Sequence, residues 1–276
     1  MRGRLDGRAG RTLSRERPAL PPGPSPARLI LAVAAHAKLN LSLEVHGRRP
    51  DGYHELTTLF QAVSLHDLLL VEPAANTELH GGQPDDLVLR AQRALEEAAA
   101  RPLPARFRLI KRIPAGAGLA GGSSDAAATL RALSTLYGLK VDLRPVAAEL
   151  GADVPFFLQG GTALGRGKGE NLTPLPSHAG CYAIAWPGYS VSTAAVFQAW
   201  DEVGGDGENH LLRAAIVVEP RIGEFAMGLE GWRMTGTGTA FFKPYPDRRQ
   251  AERAVGALDC WTAVATAVPA WAAVAT

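Results

Sequence analysis

A glycine-rich turn in front of a helix-forming run constrains this chain more than any other feature. The stretch IPAGAGLAGGSSDAAATLRAL (113–133) follows the strand-like segment ARFRLIKRI. A helix begins with N–H groups that have no intrahelical partner, and its dipole favours negative charge there. Glycines let a phosphate approach those groups, and serine hydroxyls add donors. Close packing of a helix on a sheet would also explain the glycines, but it leaves Gly-Gly-Ser-Ser at the helix start unexplained.

Three of the glycines also satisfy the dinucleotide fingerprint G-x-G-x-x-G, and Asp142 follows about 20 residues later, where a ribose-binding acid is expected. Two observations count against a dinucleotide fold. Serines stand where the fingerprint has a small apolar residue, and Asp142 is explained as the N-cap of the helix LRPVAAEL. The fingerprint alone is a weak signal, so we favour a nucleotide triphosphate loop of another type.

Two other phosphate-binding motifs are absent. The segment GGTALGRGKGE has Gly169 where a Walker A motif requires serine or threonine. The chain also has neither the H-R-D nor the D-F-G motif of protein kinases.

The order of strand and helix patterns predicts an α+β protein. Apolar residues alternate from Lys38 to Val45, which indicates a half-buried strand, and TTLFQAVSL and HDLLLVEP are two further strand-like runs. Helical spacing recurs in DDLVLRAQRALEEAAA and STAAVFQAWDEV. Because strands and helices do not alternate strictly, a doubly wound sheet is less favoured. We expect two domains, at residues 29–177 and 178–276.

The first 28 residues contain seven arginines and a proline-rich segment from Pro18 to Pro26. We interpret residues 1–28 as a disordered leader, or as the product of a start codon assigned too early. An export signal is the alternative, with LILAVAA as its apolar core and AHA as the cleavage site. The apolar run has only seven residues and continues into the strand pattern KLNLSLEV, which favours a strand.

Composition narrows the functional classes. The chain has 276 residues, 29 basic against 27 acidic side chains and a formal net charge of +2, so nothing indicates nucleic-acid binding. No apolar stretch approaches the ~20 residues that span a bilayer. Two cysteines without a motif and seven histidines without metal-ligand spacing indicate a reducing, cytoplasmic setting and no protein-held metal.

Three segments in order resemble the GHMP kinases, the superfamily of galactokinase, homoserine kinase and the mevalonate kinases. PAGAGLAGGSSDAAA is similar to their phosphate loop, AKLNLSLEV to their N-terminal strand, and MTGTGTAFF to their C-terminal glycine loop. The resemblance implies a two-domain fold, with an N-terminal domain like ribosomal protein S5 domain 2, a C-terminal ferredoxin-like domain, and the active site between them.

Within the superfamily, AKLNLSLEVHGRRPDGYHELTTLFQAVSLHD and GADVPFFLQGGTALGRGKGE most resemble the kinases of the 4-diphosphocytidyl-2-C-methyl-D-erythritol family. The resemblance implies transfer of the γ-phosphate of ATP to the 2-hydroxyl of that substrate, in the non-mevalonate route to isoprenoids. Another GHMP-type kinase, or a nucleotide-binding module without catalysis, remains the alternative. Two positions depart from the family: His36 replaces a usual proline, and Asp125 replaces the asparagine of some members.

The resemblance also implies roles for individual residues. Lys38 and Asp153 would be the catalytic pair, because a carboxylate is a suitable base for an alcohol and a lysine can offset phosphoryl charge. The ATP-binding residues would be Pro114, Ala115, Gly116, Ala117, Gly118, Leu119, Ala120, Gly121, Gly122, Ser123 and Ser124. The substrate-binding residues would be Asn40, Tyr53, His54, Phe197, Gly236, Thr237 and Gly238.

Without the resemblance, each of these residues has an ordinary structural explanation. A lysine on a strand is usually solvated, an aspartate before Val-Pro often caps a turn, and His54 can be a solvated turn residue. The expected cofactor is ATP with Mg²⁺ carried by the nucleotide, since the sequence shows no metal cage. The expected partner is a small-molecule substrate, with no nucleic acid or membrane, and the expected state is a monomer or weak homodimer.

Overall fold

The computed structural model describes residues 29–177 and 179–271, so the predicted leader (residues 1–28) lies outside the described residues. The first part of the chain forms a six-stranded sheet. Its strands are β1 (Leu31–Arg48), β2 (His54–Pro73), β3 (Glu78–His80), β4 (Ala105–Ile110), β5 (Thr162–Gly167) and β6 (Asn171–Leu175). Its helices are α1 (Leu87–Ala99), α2 (Gly121–Tyr137), α3 (Leu143–Leu150) and α4 (Phe156–Gln159).

The long hairpin β1–β2 organises this sheet. The predicted turn between the two strands is confirmed, with Gly52 at φ +86° and the Arg49 N–H donating to the Tyr53 carbonyl at 2.7 Å. The two strand-like runs after the turn form the single strand β2. Its first half pairs with β5 and its second half with β4, while β1 covers its other edge. The sequence suggested two strands, but β2 is continuous from His54 to Pro73 and changes its neighbour halfway along.

Helices pack on this sheet as their apolar spacing predicts. The predicted cap of α3 is confirmed, since the Asp142 carboxylate accepts a hydrogen bond from the Arg144 N–H at 3.1 Å. Asp142 is exposed and paired with Arg144, which removes the last feature that favoured a dinucleotide fold. Helix α1 is capped in the same way by Asp86, which accepts from the Val88 N–H.

The rest of the chain forms a four-stranded antiparallel sheet in the order β10-β7-β9-β8. Its strands are β7 (Cys181–Trp186), β8 (Arg233–Met234), β9 (Phe241–Tyr245) and β10 (Trp261–Thr266). Its helices are α5 (Thr193–Val203), α6 (Leu212–Val218), α7 (Arg221–Met227) and α8 (Arg248–Gly256). The predicted α+β class is therefore confirmed, and the change from one sheet to the other falls between β6 and β7.

The two sheets share apolar cores. Leu39 of β1 and Leu119 of the glycine loop are buried against Ile184 and Phe242 of the second sheet. The chain also returns to the first sheet after β10, because the Val268 N–H donates to the Ala62 carbonyl at 2.9 Å. These contacts hold the facing surfaces of the two parts together.

Across the ranges 29–177 and 179–271, no helix combines the length and the apolar character that a membrane span needs.

Candidate active site

A cavity of about 680 Å³ lies where the two sheets meet. The predicted phosphate-loop residues line it, except for Leu119 and Ser124. The Leu119 side chain is fully buried in the shared core, and its carbonyl accepts a hydrogen bond from the Lys38 N–H at 3.2 Å. Ser124 is buried within the first turn of α2. These two residues can therefore serve a ligand only through their backbone or by holding the loop in place.

The start of α2 has the features of an anion site. The helix begins at Gly121, and the residue before it, Ala120, has φ +56° and provides no side-chain cap. The first N–H groups of the helix are thus available at the cavity wall, and Gly122 is exposed there. The helix dipole makes this end favourable for a phosphate.

Two glycines of the loop are required for packing. A Cβ at Gly118, which has φ +81°, would lie 2.3 Å from the Thr235 carbonyl oxygen. A Cβ at Gly116, at φ +68°, would lie 2.4 Å from the Ser190 Cβ. The packing interpretation therefore accounts for these two positions, whereas the helix start at Gly121 and Gly122 carries the anion-binding geometry.

Lys38 and Asp153 meet beside the phosphate loop. The Lys38 Nζ is 3.7 Å from the Asp153 Oδ2, and the two side chains are 4% and 31% exposed. Burial lowers the pKa of Lys38 below its usual range, and the Asp153 carboxylate opposes that decrease. Lys38 lies on the polar face of its strand, and the second glycine loop covers this face, since a Cβ added at Gly236 would lie 3.2 Å from the Lys38 Nζ. The arrangement places a buried cation next to an accessible carboxylate.

Asn40 joins this pair to the second glycine loop. It follows Lys38 by two residues on β1, so both side chains lie on one face. Its Oδ1 accepts from the Lys38 Nζ at 2.5 Å, and its Nδ2 donates to the Thr58 Oγ1 at 2.7 Å. Its backbone N–H donates to the Thr235 Oγ1 at 2.9 Å. Asn40 therefore orients Lys38 and lies in the first cavity, away from Tyr53 and His54.

The second glycine loop is held by a residue that sequence reasoning missed. Gly236, Thr237 and Gly238 line the first cavity, as expected of a loop that closes the site. The buried side chain of Asn209 donates to the carbonyls of Met234 and Gly236, at 2.8 and 2.9 Å. Asn209 stands in a polar loop, GGDGENH, and its two partners are distant in sequence, so no local pattern identifies it.

The remaining predicted substrate residues gather in a second cavity of about 720 Å³. His54 is 7% exposed and stacks on Phe197, with ring centroids 4.9 Å apart and an interplanar angle of 25°. Tyr53 is 55% exposed, and the Lys168 Nζ lies 4.6 Å from its ring centroid. The two cavities meet at residues that line both of them: Leu56, Ala152, Lys168, Thr193 and Phe197.

A buried charge cluster behind the phosphate loop was also missed. The Lys111 Nζ lies 2.5 Å from the Asp67 Oδ2 and 2.6 Å from the Asp125 Oδ2, and both carboxylates are almost fully buried. Asp67 also accepts from the backbone N–H groups of Arg112 and Ile113, at the entry to the loop. Burial raises the pKa of Asp125 to about 7, and Lys111 opposes this increase. The lysine in ARFRLIKRI has the appearance of a solvated strand residue, which hid this cluster.

The described residues contain no group of three or more histidine, cysteine, aspartate or glutamate side chains arranged to hold a metal ion. Several residues with oxygen donors line the first cavity: the carboxylates are those of Asp85, Asp86, Asp125 and Asp153, and the hydroxyls are those of Thr58, Ser123, Thr193 and Thr237. Mg²⁺ binds few protein carboxylates and takes its remaining ligands from water and substrate phosphates. The donors present therefore fit an ion that arrives with a nucleotide.

Comparison with known proteins agrees with this geometry. Residues 86–161 match the model of the GHMP kinases N terminal domain. A curated relative from Thermus thermophilus, named 4-diphosphocytidyl-2-C-methyl-D-erythritol kinase, is 43% identical in an alignment 254 residues long, and the match covers 82% of this chain and 92% of the relative. A relative of the same name from Polaromonas naphthalenivorans is 38% identical, covering 79% of this chain and 86% of its own length.

Solved structures agree as well. A crystal structure of 4-(cytidine 5'-diphospho)-2C-methyl-D-erythritol kinase is 40% identical and matches with a TM-score of 0.73, over 86% of this chain and 99% of that one. Homoserine kinase from Cytophaga hutchinsonii shares the fold at 20% identity, with a TM-score of 0.64, over 88% of this chain and 96% of its own.

The fold and the site together define an ATP-dependent small-molecule kinase of the GHMP class. Identity of about 40% over four-fifths of the sequence then specifies the branch. The chain belongs to the 4-diphosphocytidyl-2-C-methyl-D-erythritol kinase family.

Proposed function

We propose that this protein transfers the γ-phosphate of ATP to the 2-hydroxyl of 4-diphosphocytidyl-2-C-methyl-D-erythritol. The observation that carries the proposal is the Lys38–Asp153 pair, 3.7 Å apart in the cavity that the phosphate loop also lines. A nucleotide-binding module without catalysis would not need a buried lysine held by Asn40 beside a carboxylate. The two products would be ADP and the 2-phosphate.

Asp153 is the proposed base. A tertiary alcohol is a poor nucleophile at neutral pH, and a carboxylate within hydrogen-bond reach takes its proton as the O–P bond forms. Asp153 is 31% exposed at the first cavity, so a substrate hydroxyl can reach it. Its position is set by the short connector before α4, where the Val154 N–H donates to the Gly151 carbonyl.

The proposed role of Lys38 is electrostatic. Its ammonium offsets negative charge on the transferred phosphoryl group. The hydrogen bond to Asn40 Oδ1 fixes the ammonium, so little reorganisation is needed during transfer. The triphosphate would lie against Gly121, Gly122 and Ser123 at the start of α2. Mg²⁺ carried by ATP would supply further charge neutralisation, and Asp153 and Ser123 are among the lining residues with oxygen donors for it.

The second cavity supports the nucleoside end of the substrate. His54, Phe197 and Tyr53 offer aromatic faces for a pyrimidine ring. A molecule with its ring there and its hydroxyl at Asp153 must pass its diphosphate through the junction of the cavities. Among the described residues that line both cavities, Lys168 is the charged one, and its ammonium suits a diphosphate.

We further propose that the partner is this small molecule alone, that the protein acts as a monomer or weak homodimer, and that it works in the cytoplasm. The two cysteines, Cys181 and Cys260, are not bonded to each other, which agrees with a reducing setting. The domain limits are proposed as residues 29–177 and 178–276. Residues 267–271 belong to the second range in sequence, but they pack on the first sheet.

The test is an ADP-release assay with Mg-ATP and 4-diphosphocytidyl-2-C-methyl-D-erythritol, run beside mevalonate, homoserine and galactose. We expect ADP release with the first substrate only, and release with another acceptor instead would overturn the assignment. Asp153→Asn should keep ATP binding while turnover falls by about 10²-fold to 10⁴-fold. Asp206→Asn, a change of the same kind at an exposed loop position, is the matched control. Unchanged turnover of Asp153→Asn would remove this residue from the mechanism.

A further inference from the structure

The hydroxyl of Thr58 stands in a chain of hydrogen bonds that leads to Lys38. The Thr58 Oγ1 donates to the Ser42 carbonyl at 2.7 Å and accepts from the Asn40 Nδ2 at 2.7 Å. The Asn40 Oδ1 in turn accepts from the Lys38 Nζ at 2.5 Å. Thr58 and Asn40 are 1% and 4% exposed, and Lys38 is buried as well, so solvent has little access to these bonds.

The β1–β2 hairpin builds this chain of bonds. Lys38 and Asn40 are two residues apart on β1, and Asn40 lies opposite Phe60, two residues from Thr58 on β2. Side chains two positions apart on a strand share a face, so these residues project to the same side of the sheet. The register of the hairpin shifts between Asn40 and Ser42. An irregularity of this kind changes the direction of the side chains around it.

The number of protons available fixes the orientation of the Asn40 amide. A threonine hydroxyl has one proton to donate, and the Thr58 hydroxyl donates it to the Ser42 carbonyl. Toward Asn40, the same oxygen is therefore an acceptor, and it requires the Nδ2 group. An amide turned over would set Nδ2 against the Lys38 ammonium, where two donors face each other. The acceptor Oδ1 is thus directed at Lys38.

The amide determines where the ammonium lies relative to the proposed base. The Lys38 Nζ is 2.5 Å from the Asn40 Oδ1 but 3.7 Å from the Asp153 Oδ2, which is longer than a direct hydrogen bond. The Phe60 ring lies beside the ammonium, with its centroid 5.8 Å from the Nζ. Lys38 is therefore held near Asp153 without closing on it, and the carboxylate stays available to a substrate hydroxyl.

We propose that Thr58 is a positioning residue that acts through Asn40 to hold the Lys38 ammonium in place for phosphoryl transfer. The inference rests on the proposed function, since it concerns the catalytic pair of the same reaction. Without the hydroxyl, the Asn40 Nδ2 has no acceptor in one orientation of the amide and faces the ammonium in the other. Neither orientation is satisfied, so Lys38 loses its fixed partner.

The first test requires no turnover. In the native protein, nuclear Overhauser effects from the Asn40 amide protons should reach the Thr58 side chain. Effects to the Lys38 Cε protons instead would show the amide turned over and would overturn the proposal, whether or not any variant folds.

A second measurement on the free protein is the pKa of Lys38, followed by the ¹³Cε chemical shift and assigned by its loss in Lys38→Arg. Burial already lowers this pKa. Thr58→Val should lower the pKa of Lys38 further, because only the charged form of lysine needs the acceptor, and Thr58→Ser should leave it unchanged. An unchanged pKa in Thr58→Val, or an equal decrease in both variants, would contradict the proposed role.

The kinetic test separates the hydroxyl from the bulk of the side chain. Thr58→Val should lower kcat by about 10-fold to 100-fold and keep KM for ATP within about threefold, because a displaced ammonium affects the transfer step. Thr58→Ser, which retains the hydroxyl, should keep kcat within about threefold of the native value. The matched control is Thr57→Val, which removes a hydroxyl from the opposite face of β2, where it contacts the exposed His46, and should change neither constant.

A double-mutant cycle tests whether Thr58 acts through Asn40. Once Asn40→Ala has removed the amide, adding Thr58→Val should change kcat by less than about twofold. A full further loss of about 10-fold or more in this background would show that Thr58 acts by another route, and the proposal would be refuted.

These tests distinguish the inference from the proposed function. If the native protein released no ADP with the cytidine substrate, but Thr58→Val lowered the pKa of Lys38 and Thr58→Ser did not, the proposed function would fail and the role of Thr58 in holding Lys38 would stand. If ADP was released and Thr58→Val kept the native kcat, the role of Thr58 would be refuted and the proposed function would stand.

Discussion

Replacing Asp125 with asparagine should make the protein progressively more stable than the native chain as the pH rises. Asp67 and Asp125 share the single ammonium of Lys111, and both carboxylates are almost fully buried. Asp67 also has two backbone N–H donors, whereas the Asp125 Oδ1 is buried without a hydrogen-bond partner among the described residues. Of the two carboxylates, Asp125 is therefore the worse stabilised as an anion, and burial raises its pKa to about 7.

The size of the stability change follows from the difference between the pKa of Asp125 in the folded protein and in the unfolded chain. The pKa of an ordinary aspartate is 3.8, so between that value and about 7 the folded protein holds a proton that the unfolded chain has lost. Because the folded-state pKa is the higher one, stability from this group is complete below about pH 4 and is lost as the pH rises through 7. The loss is about 1.4 kcal/mol per pH unit, or about 3 kcal/mol between pH 5 and pH 8. An asparagine at this position does not titrate and avoids the loss.

Urea unfolding at pH 5 and pH 8 measures the effect, and the quantity of interest is the difference between Asp125→Asn and the native protein at each pH. We expect this difference to grow by about 3 kcal/mol in favour of the variant. The matched control is Asp67→Asn, which removes the anion that accepts from Lys111, Arg112 and Ile113 and should destabilise at both pH values by about 3 kcal/mol. A difference for Asp125→Asn that stays constant within about 0.5 kcal/mol would refute the reasoning.

Two further predictions concern the junction of the cavities and the end of the described chain. Lys168→Gln should raise KM for the cytidine substrate about tenfold with little change in kcat, because a charge-assisted contact to the diphosphate is lost. The control is Arg166→Gln, an exposed position on β5 of the β5–β6 hairpin, whose turn contains Lys168. An equal rise in KM for both variants would indicate nonspecific electrostatics. Trp271→Ala should lower the free energy of unfolding by about 2–3 kcal/mol, measured in urea, since the indole stacks on His36 and donates to the Phe157 carbonyl. A loss below about 0.5 kcal/mol would show that this contact does not hold the segment.

The sequence by itself determined the features that depend on local chemistry. The helix start after the glycine loop, the Asp142 cap, the hairpin turn at Gly52 and the apolar spacing of helices and strands all follow from interactions within a few residues, and each is present in the structure. The phosphate loop and the class of protein were also available, because the glycines, serines and helix start are contiguous. Lys38 and Asp153 were named only through the resemblance, since neither residue has a distinctive local pattern.

The tertiary structure decided which distant groups meet. It covered the polar face of β1 with the second glycine loop, so that Lys38 and Asn40 are buried instead of solvated. It brought Asp67, Lys111 and Asp125 together behind the loop, placed Asn209 under Gly236, and set Asp201 against His54. The physical reason is that hydrogen bonds and ion pairs depend on distance in space. Packing of two sheets brings together residues that are up to about 200 positions apart in the chain, as in the bond from Asn40 to Thr235, and no periodicity along the sequence records such a contact.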